Sequence, residues 1–131
     1  MEVGDTARRT RRVEQRDIEL FTEISGDRNP LHYDADLAAR SRFGGIIVQG
    51  GVTTALLNAL VAEDLPGPGS VFLNVNWDFR APVRPGDVIT AEATVTSTRP
   101  DKPISTLHMT ITNQDDVVVL EGTAVVYRSP L

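Results

Sequence analysis

From Val71 to Phe79 the chain alternates: Val71, Leu73, Val75, Trp77 and Phe79 are apolar, with Asn74, Asn76 and Asp78 among them. A period of two predicts a half-buried strand. Val88 to Thr98 is rich in β-branched residues. Leu107, Met109 and Ile111 then set an apolar face against Thr106, His108 and Thr110, and Val117 to Tyr127 makes a long last run. Turn residues separate these segments: Arg84-Pro85-Gly86-Asp87, Pro100 to Pro103, and Asn113 to Asp116. Proline and glycine there supply the backbone angles that tight turns require. Four strands joined in this way predict an antiparallel meander.

Residues 1–64 read instead as short helical patterns and loops. Between Val52 and Glu63, apolar residues at positions 52, 55, 56, 57, 59, 60 and 61 cover much of a helical circumference. That spread predicts a helix buried on most sides. Gly50 and Gly51 lead into it, and Pro66-Gly67-Pro68-Gly69 ends it. Asp17 to Ile24 predicts a shorter amphipathic helix with Ile18, Phe21 and Ile24 facing inward, and Asp34 to Arg40 another. The expected architecture is α+β, an antiparallel sheet packed around one apolar helix in a single domain over residues 1–131.

Composition narrows the function classes. A chain of 131 residues suits one domain with one sizeable core. The absence of cysteine removes disulfides, thiolate metal sites and cysteine nucleophiles together. A net charge of −5 argues against nucleic acid as a partner. No apolar run approaches the roughly 20 residues that cross a bilayer, and the amino terminus lacks the apolar core of a secretory signal. A soluble, cytoplasmic protein is expected.

The two histidines differ in setting. His108 lies among threonines on the polar face of a predicted strand and reads as surface. His32 closes the segment Ser25-Gly26-Asp27-Arg28-Asn29-Pro30-Leu31-His32. Pro30 fixes its own backbone angle and biases Asn29 toward extended geometry. A rigid turn of this kind can point the Asp27 carboxylate and the His32 imidazole at one small volume. Such a pair suits the activation of water. By local chemistry alone, Asp27 could equally do no more than form an Asx turn ahead of Asn-Pro. A second segment, Gly44-Gly45-Ile46-Ile47-Val48-Gln49-Gly50-Gly51, feeds directly into the apolar helix. Free N–H groups at a helix start can hold a developing oxyanion; close packing of helix on sheet is the plainer use of the same glycines.

These residues resemble the MaoC-like hydratase family, the (R)-specific enoyl-CoA hydratases of the hot dog fold. The family hallmark Phe-x-x-x-Ser-Gly-Asp-x-Asn-Pro-x-His is filled here by Phe21, Ser25, Gly26, Asp27, Asn29, Pro30 and His32. The likeness continues through Ala38-Ala39, Phe43-Gly44-Gly45, Phe79-Arg80-Ala81-Pro82-Val83, Pro85-Gly86-Asp87 and Asp101-Lys102-Pro103, nearly the whole chain. It implies a hot dog fold and a homodimer, open to higher assembly. It further implies that Asp27 is the general base and His32 its partner in adding water to a trans-2-enoyl-CoA. The Gly50 N–H would polarise the thioester carbonyl, and Asn29, Gln49, Gly51 and Asn58 would contact substrate. No metal or redox cofactor is implied, because coenzyme A belongs to the substrate.

The chain departs from the family where His-Gly-Met is usual and Gln49-Gly50-Gly51 stands, and where a frequent helix serine is Asn58. Arg8, Arg9, Arg11 and Arg12 would meet coenzyme A phosphates or, the favoured reading, form a solvated strand face. Two other classes stay open. A hot dog acyl-CoA thioesterase generally places a carboxylate on or near the central helix, where only Glu63 stands, at the far end. A non-catalytic acyl-CoA-binding domain would not need the Asp27 and His32 pair.

Overall fold

The computed structural model describes residues 1–131. In chain order it comprises β1 (Thr6–Arg12), α1 (Gln15–Ser25), a 3-10 turn (Pro30–His32), α2 (Ala35–Arg40), α3 (Gly50–Ala59), a π-helical turn (Leu60–Asp64), β2 (Ser70–Phe79), β3 (Val88–Thr98), β4 (Ile104–Thr112) and β5 (Val118–Arg128). The strands form one antiparallel sheet in the order β1-β3-β4-β5-β2.

The expected meander therefore holds for β3, β4 and β5 only. The segment between β2 and β3 contains Pro82 and Pro85, which have no N–H to give to a ladder. It crosses to the helix side instead, where Val83 is buried and its carbonyl accepts from Val48 N–H at 2.8 Å. β2 consequently lies at the far edge, paired with β5. β1, in a region read as helical patterns and loops, supplies the opposite edge. Its arginines alternate between the two faces of the strand, and Arg9, Arg11 and Arg12 border an open groove between α1, α3, β1 and β2.

One strand breaks its predicted phase. A bulge between Phe72 and Asn74 leaves Leu73 unpaired and shifts the alternation by one residue. Phe72, Val75, Trp77 and Phe79 stand opposite Val126, Ala124, Gly122 and Leu120, so they share the inner face of the sheet. Val71, grouped in the sequence with Val75 and Trp77, falls on the other side of that shift and is exposed.

α3 and the π-helical turn fill the concave side. Val52, Leu56, Leu57, Leu60 and Val61 pack in one cluster with Ile89 and Val95 of β3, Leu107, Met109 and Ile111 of β4, and Leu120 and Val126 of β5. Burial is one-sided: Ala55 and Asn58 are exposed, so the expected burial on most sides is not met within a single chain. The helix mixes small residues among large ones, and its small face is the open one. α1 starts at a reciprocal capping box between Glu14 and Asp17 and buries Ile18. Ile24, expected inward, is 82% exposed: the helix runs to Ser25 with Gly26 as its C-cap, and helical rotation turns Ile24 away from the face that buries Ile18 and Thr22.

Gly122 sets the spacing of β2 on β5. A Cβ built there would fall 1.9 Å from the Asn76 carbonyl oxygen and 2.8 Å from the Trp77 ring. The first obstacle is backbone, which cannot swing aside. Gly122→Ala is expected to cost about 2–3 kcal/mol and to lower Tm on the order of 10 °C. Thermal unfolding checks this, and an unchanged Tm would mean that β2 has no fixed seat on β5.

Candidate active site

The segment following α1 is fixed by local bonds before any tertiary contact. Gly26 takes a left-handed conformation, φ 80°, and its N–H caps Thr22 C=O at 2.8 Å. Ser25 Oγ donates to Phe21 C=O at 2.7 Å and accepts from Asp27 N–H at 3.0 Å. Asp27 Oδ1 accepts from Asn29 N–H at 3.0 Å, and Asn29 Oδ1 accepts from Leu31 N–H at 3.1 Å. Asp27 does make the Asx turn, but with one carboxylate oxygen. Its Oδ2 remains directed at His32 Nε2, 3.8 Å away.

His32 is buried, 6% exposed, and its Nδ1 lies 2.7 Å from Ile47 C=O. A carbonyl only accepts, so Nδ1 carries the proton, and in the neutral ring Nε2 presents a lone pair. Two acceptors, Asp27 Oδ2 and His32 Nε2, thus converge on one volume. Their separation exceeds a direct hydrogen bond and suits one bridging water that donates to both. Such a water has its own lone pairs free to attack.

The bond to Ile47 also draws this loop against the segment leading into α3, where Ile47 N–H is donated to Leu31 C=O at 3.3 Å. Three residues beyond Ile47, Gly50 opens α3. Its N–H and that of Gly51 have no acceptor in the chain, as expected for the first residues of a helix. Phe79 lies against Gly50, where a Cβ would stand 3.1 Å from the ring, and Phe21 lies directly on Gly51. Gly50 does not adopt a positive φ; its lack of a side chain matters for approach, not for backbone angle.

The remaining sequence candidates divide. Gly51 and Asn58 line an open groove of about 1240 Å³ between α1, α3, β1 and β2, with Phe21, Phe72 and Trp77. Asp27, His32 and Gly50 are not among its walls. Asn29 caps the 3-10 turn. Gln49 does not reach the groove: its side chain is buried at 1% exposure and its Nε2 donates to Ile18 C=O and Thr22 Oγ1, both at 3.1 Å. Of the arginines, Arg9 pairs with Asp64 at 3.1 Å, Arg8 with Glu92 at 3.5 Å, and Arg11 with Asp17, while Arg12 has no ion pair. Those pairs were beyond sequence reasoning, since their partners lie on other elements. Glu63 and Asp64 sit at the far end of the central helix from Gly50. No group of three His, Cys, Asp or Glu side chains is placed to hold a metal, and no helix is long and apolar enough to cross a membrane.

Comparison with known proteins bears on the same residues. Residues 2–119 match the family described as MaoC like domain. The chain is 40% identical over 126 residues to an (R)-specific enoyl-CoA hydratase of Aeromonas caviae, covering 96% of this chain and 94% of that protein. It is 39% identical over 126 residues to a 3-hydroxybutyryl-CoA dehydratase of Methylorubrum extorquens, covering 96% and 80%. The solved structure of the A. caviae (R)-hydratase, described as involved in PHA biosynthesis, superposes with a TM-score of 0.93 over 98% of each chain. The sheet and its central helix are thus those of a hot dog fold.

Proposed function

The chain belongs to the MaoC-like dehydratase family, and we propose that it is a hydro-lyase, an (R)-specific enoyl-CoA hydratase that also dehydrates 3-hydroxyacyl-CoA. The observation that carries this reading is the convergence of Asp27 Oδ2 and His32 Nε2, 3.8 Å apart, with the Nδ1 proton committed to Ile47. A water donating to both acceptors keeps a lone pair for C3 of a trans-2-enoyl-CoA. Asp27 takes the proton as the O–C3 bond forms. The π electrons move to the thioester oxygen, where the Gly50 N–H stabilises the enolate. Asp27, with His32, then returns that proton to C2 on the face that the water attacked, which regenerates the carboxylate and leaves the thioester intact. Reversal of these steps eliminates water.

The groove along α3 takes the acyl chain, with Gly51 at one wall and Asn58 as a polar point, while Asn29 and Gln49 hold the loops that frame the site. The reaction asks for no metal or redox cofactor. Its place is in fatty-acid metabolism, in the cytoplasm. The test is a panel of enoyl-CoA substrates followed by loss of enone absorbance. Release of free thiol without that loss would favour thioester hydrolysis and overturn the reading.

The proposal extends to assembly. The two sheet edges differ: β1 carries Arg8, Arg9, Arg11 and Arg12, which discourage strand addition, whereas β2 is ten residues long and leaves Val71, Leu73, Val75 and Phe79 exposed by 45–58%. An apolar edge beside an open groove favours a homodimer paired through β2, with room for higher oligomers. Sedimentation at micromolar concentration should give twice the 14.3 kDa of one chain, and Val75→Glu should shift the population toward monomer. A fully active monomer would contradict this.

A further inference from the structure

A buried polar cluster behind the site has no part in the steps above. Thr22, 4% exposed, lies in the last turn of α1 and donates its one hydroxyl proton to Asp27 C=O at 2.8 Å. Gln49 Nε2 at 3.1 Å can only donate, so Thr22 Oγ1 accepts from it. The Tyr33 hydroxyl also contacts Thr22 Oγ1, and with the threonine proton committed, the phenol is the donor. The second Gln49 amide proton goes to Ile18 C=O on the same helix. The Thr22 hydroxyl is thereby saturated, one bond given and two received.

What this hub joins is the significant point. It holds the backbone of Asp27 itself, the residue following His32, and the residue preceding Gly50. The other bonds on Asp27, to Ser25 and Asn29, are local and exposed, and water can replace them. The Thr22 bond ties Asp27 to a buried element. We propose that Thr22, oriented by Gln49 and Tyr33, is a positioning residue that holds the Asp27 carboxylate at water-bridging distance from His32. This rests on the reading of Asp27 and His32 as the water-activating pair. Misplacement of a reacting group by about 1 Å can cost on the order of a hundredfold in rate, and the gap between Asp27 Oδ2 and His32 Nε2 has little tolerance in either direction.

The experiment compares Thr22→Val, which keeps the shape and removes the hydroxyl, with Thr22→Ser, which keeps the hydroxyl. Steady-state hydration of a trans-2-enoyl-CoA should show kcat lowered about ten- to a hundredfold in Thr22→Val, with KM nearly unchanged and activity restored in Thr22→Ser. Tyr33→Phe, at a half-exposed ring, should fold normally and lose kcat severalfold. In the Asp27→Asn background, Thr22→Val should remove nothing more, because residues acting through one another are not additive. A folded Thr22→Val with normal kcat, or Tyr33→Phe with normal kcat should Thr22→Val not fold, would overturn the proposal. If Asp27→Asn itself retains activity, the water-pair reading falls instead, and the two failures are told apart.

Discussion

Asp27→Asn and His32→Ala are each expected to lower hydration by about two to four orders of magnitude, the range for loss of a general acid–base group. Asn at position 27 keeps the turn, since its carbonyl can still accept from Asn29 N–H, but it takes no proton from water. Ala at position 32 removes the Nε2 acceptor and the bond from Nδ1 to Ile47 C=O. The effect should appear in kcat, with the far-ultraviolet spectrum and the oligomeric state unchanged, because Pro30 and the backbone bonds around it hold the segment. Single-turnover hydration of an enoyl-CoA checks it. Near-normal rates in either variant would remove the pair from the mechanism.

The second large effect is expected at the start of α3. The Gly50 N–H has no acceptor in the chain, and Phe79 stands where a side chain would go. Gly50→Ala places its Cβ 3.1 Å from an exposed ring that can yield. Gly50→Val adds two methyl groups at the point where the thioester oxygen must dock, and it should lower turnover about a hundredfold, as loss of one oxyanion donor does. Kinetics of the two variants side by side separate crowding of the approach from damage to the helix. Equal and normal turnover in both would place the oxyanion donor elsewhere.

Several of these features were legible in the sequence because they depend on near neighbours. Asp27 and His32 belong to one short segment whose proline and glycine dictate its course. β3, β4 and β5 declare themselves by alternation and by the turns between them. The bulge at Leu73 left no trace, because an unpaired apolar residue in an apolar run does not disturb the pattern. β1 showed only as the strand face favoured for its arginines, and their partners Glu92, Asp64 and Asp17, which come from other elements, left no mark. Gln49 looked like a substrate contact from its place beside Gly50. Its bonds to Ile18 and Thr22, 31 and 27 residues away, draw it into the interior instead. Spacing along a chain cannot foretell a contact of that range.

In the proposed reaction one water, held between Asp27 and His32, adds across the double bond with its proton delivered to the same face. Hydration of a trans-2-enoyl-CoA in deuterated water, with the configuration at C2 and C3 of the product determined by NMR, tests it most directly. The expected product is a single (R)-3-hydroxyacyl-CoA carrying one deuterium at C2, placed syn to the new hydroxyl. An (S) product, or deuterium placed anti or on both faces of C2, would contradict it.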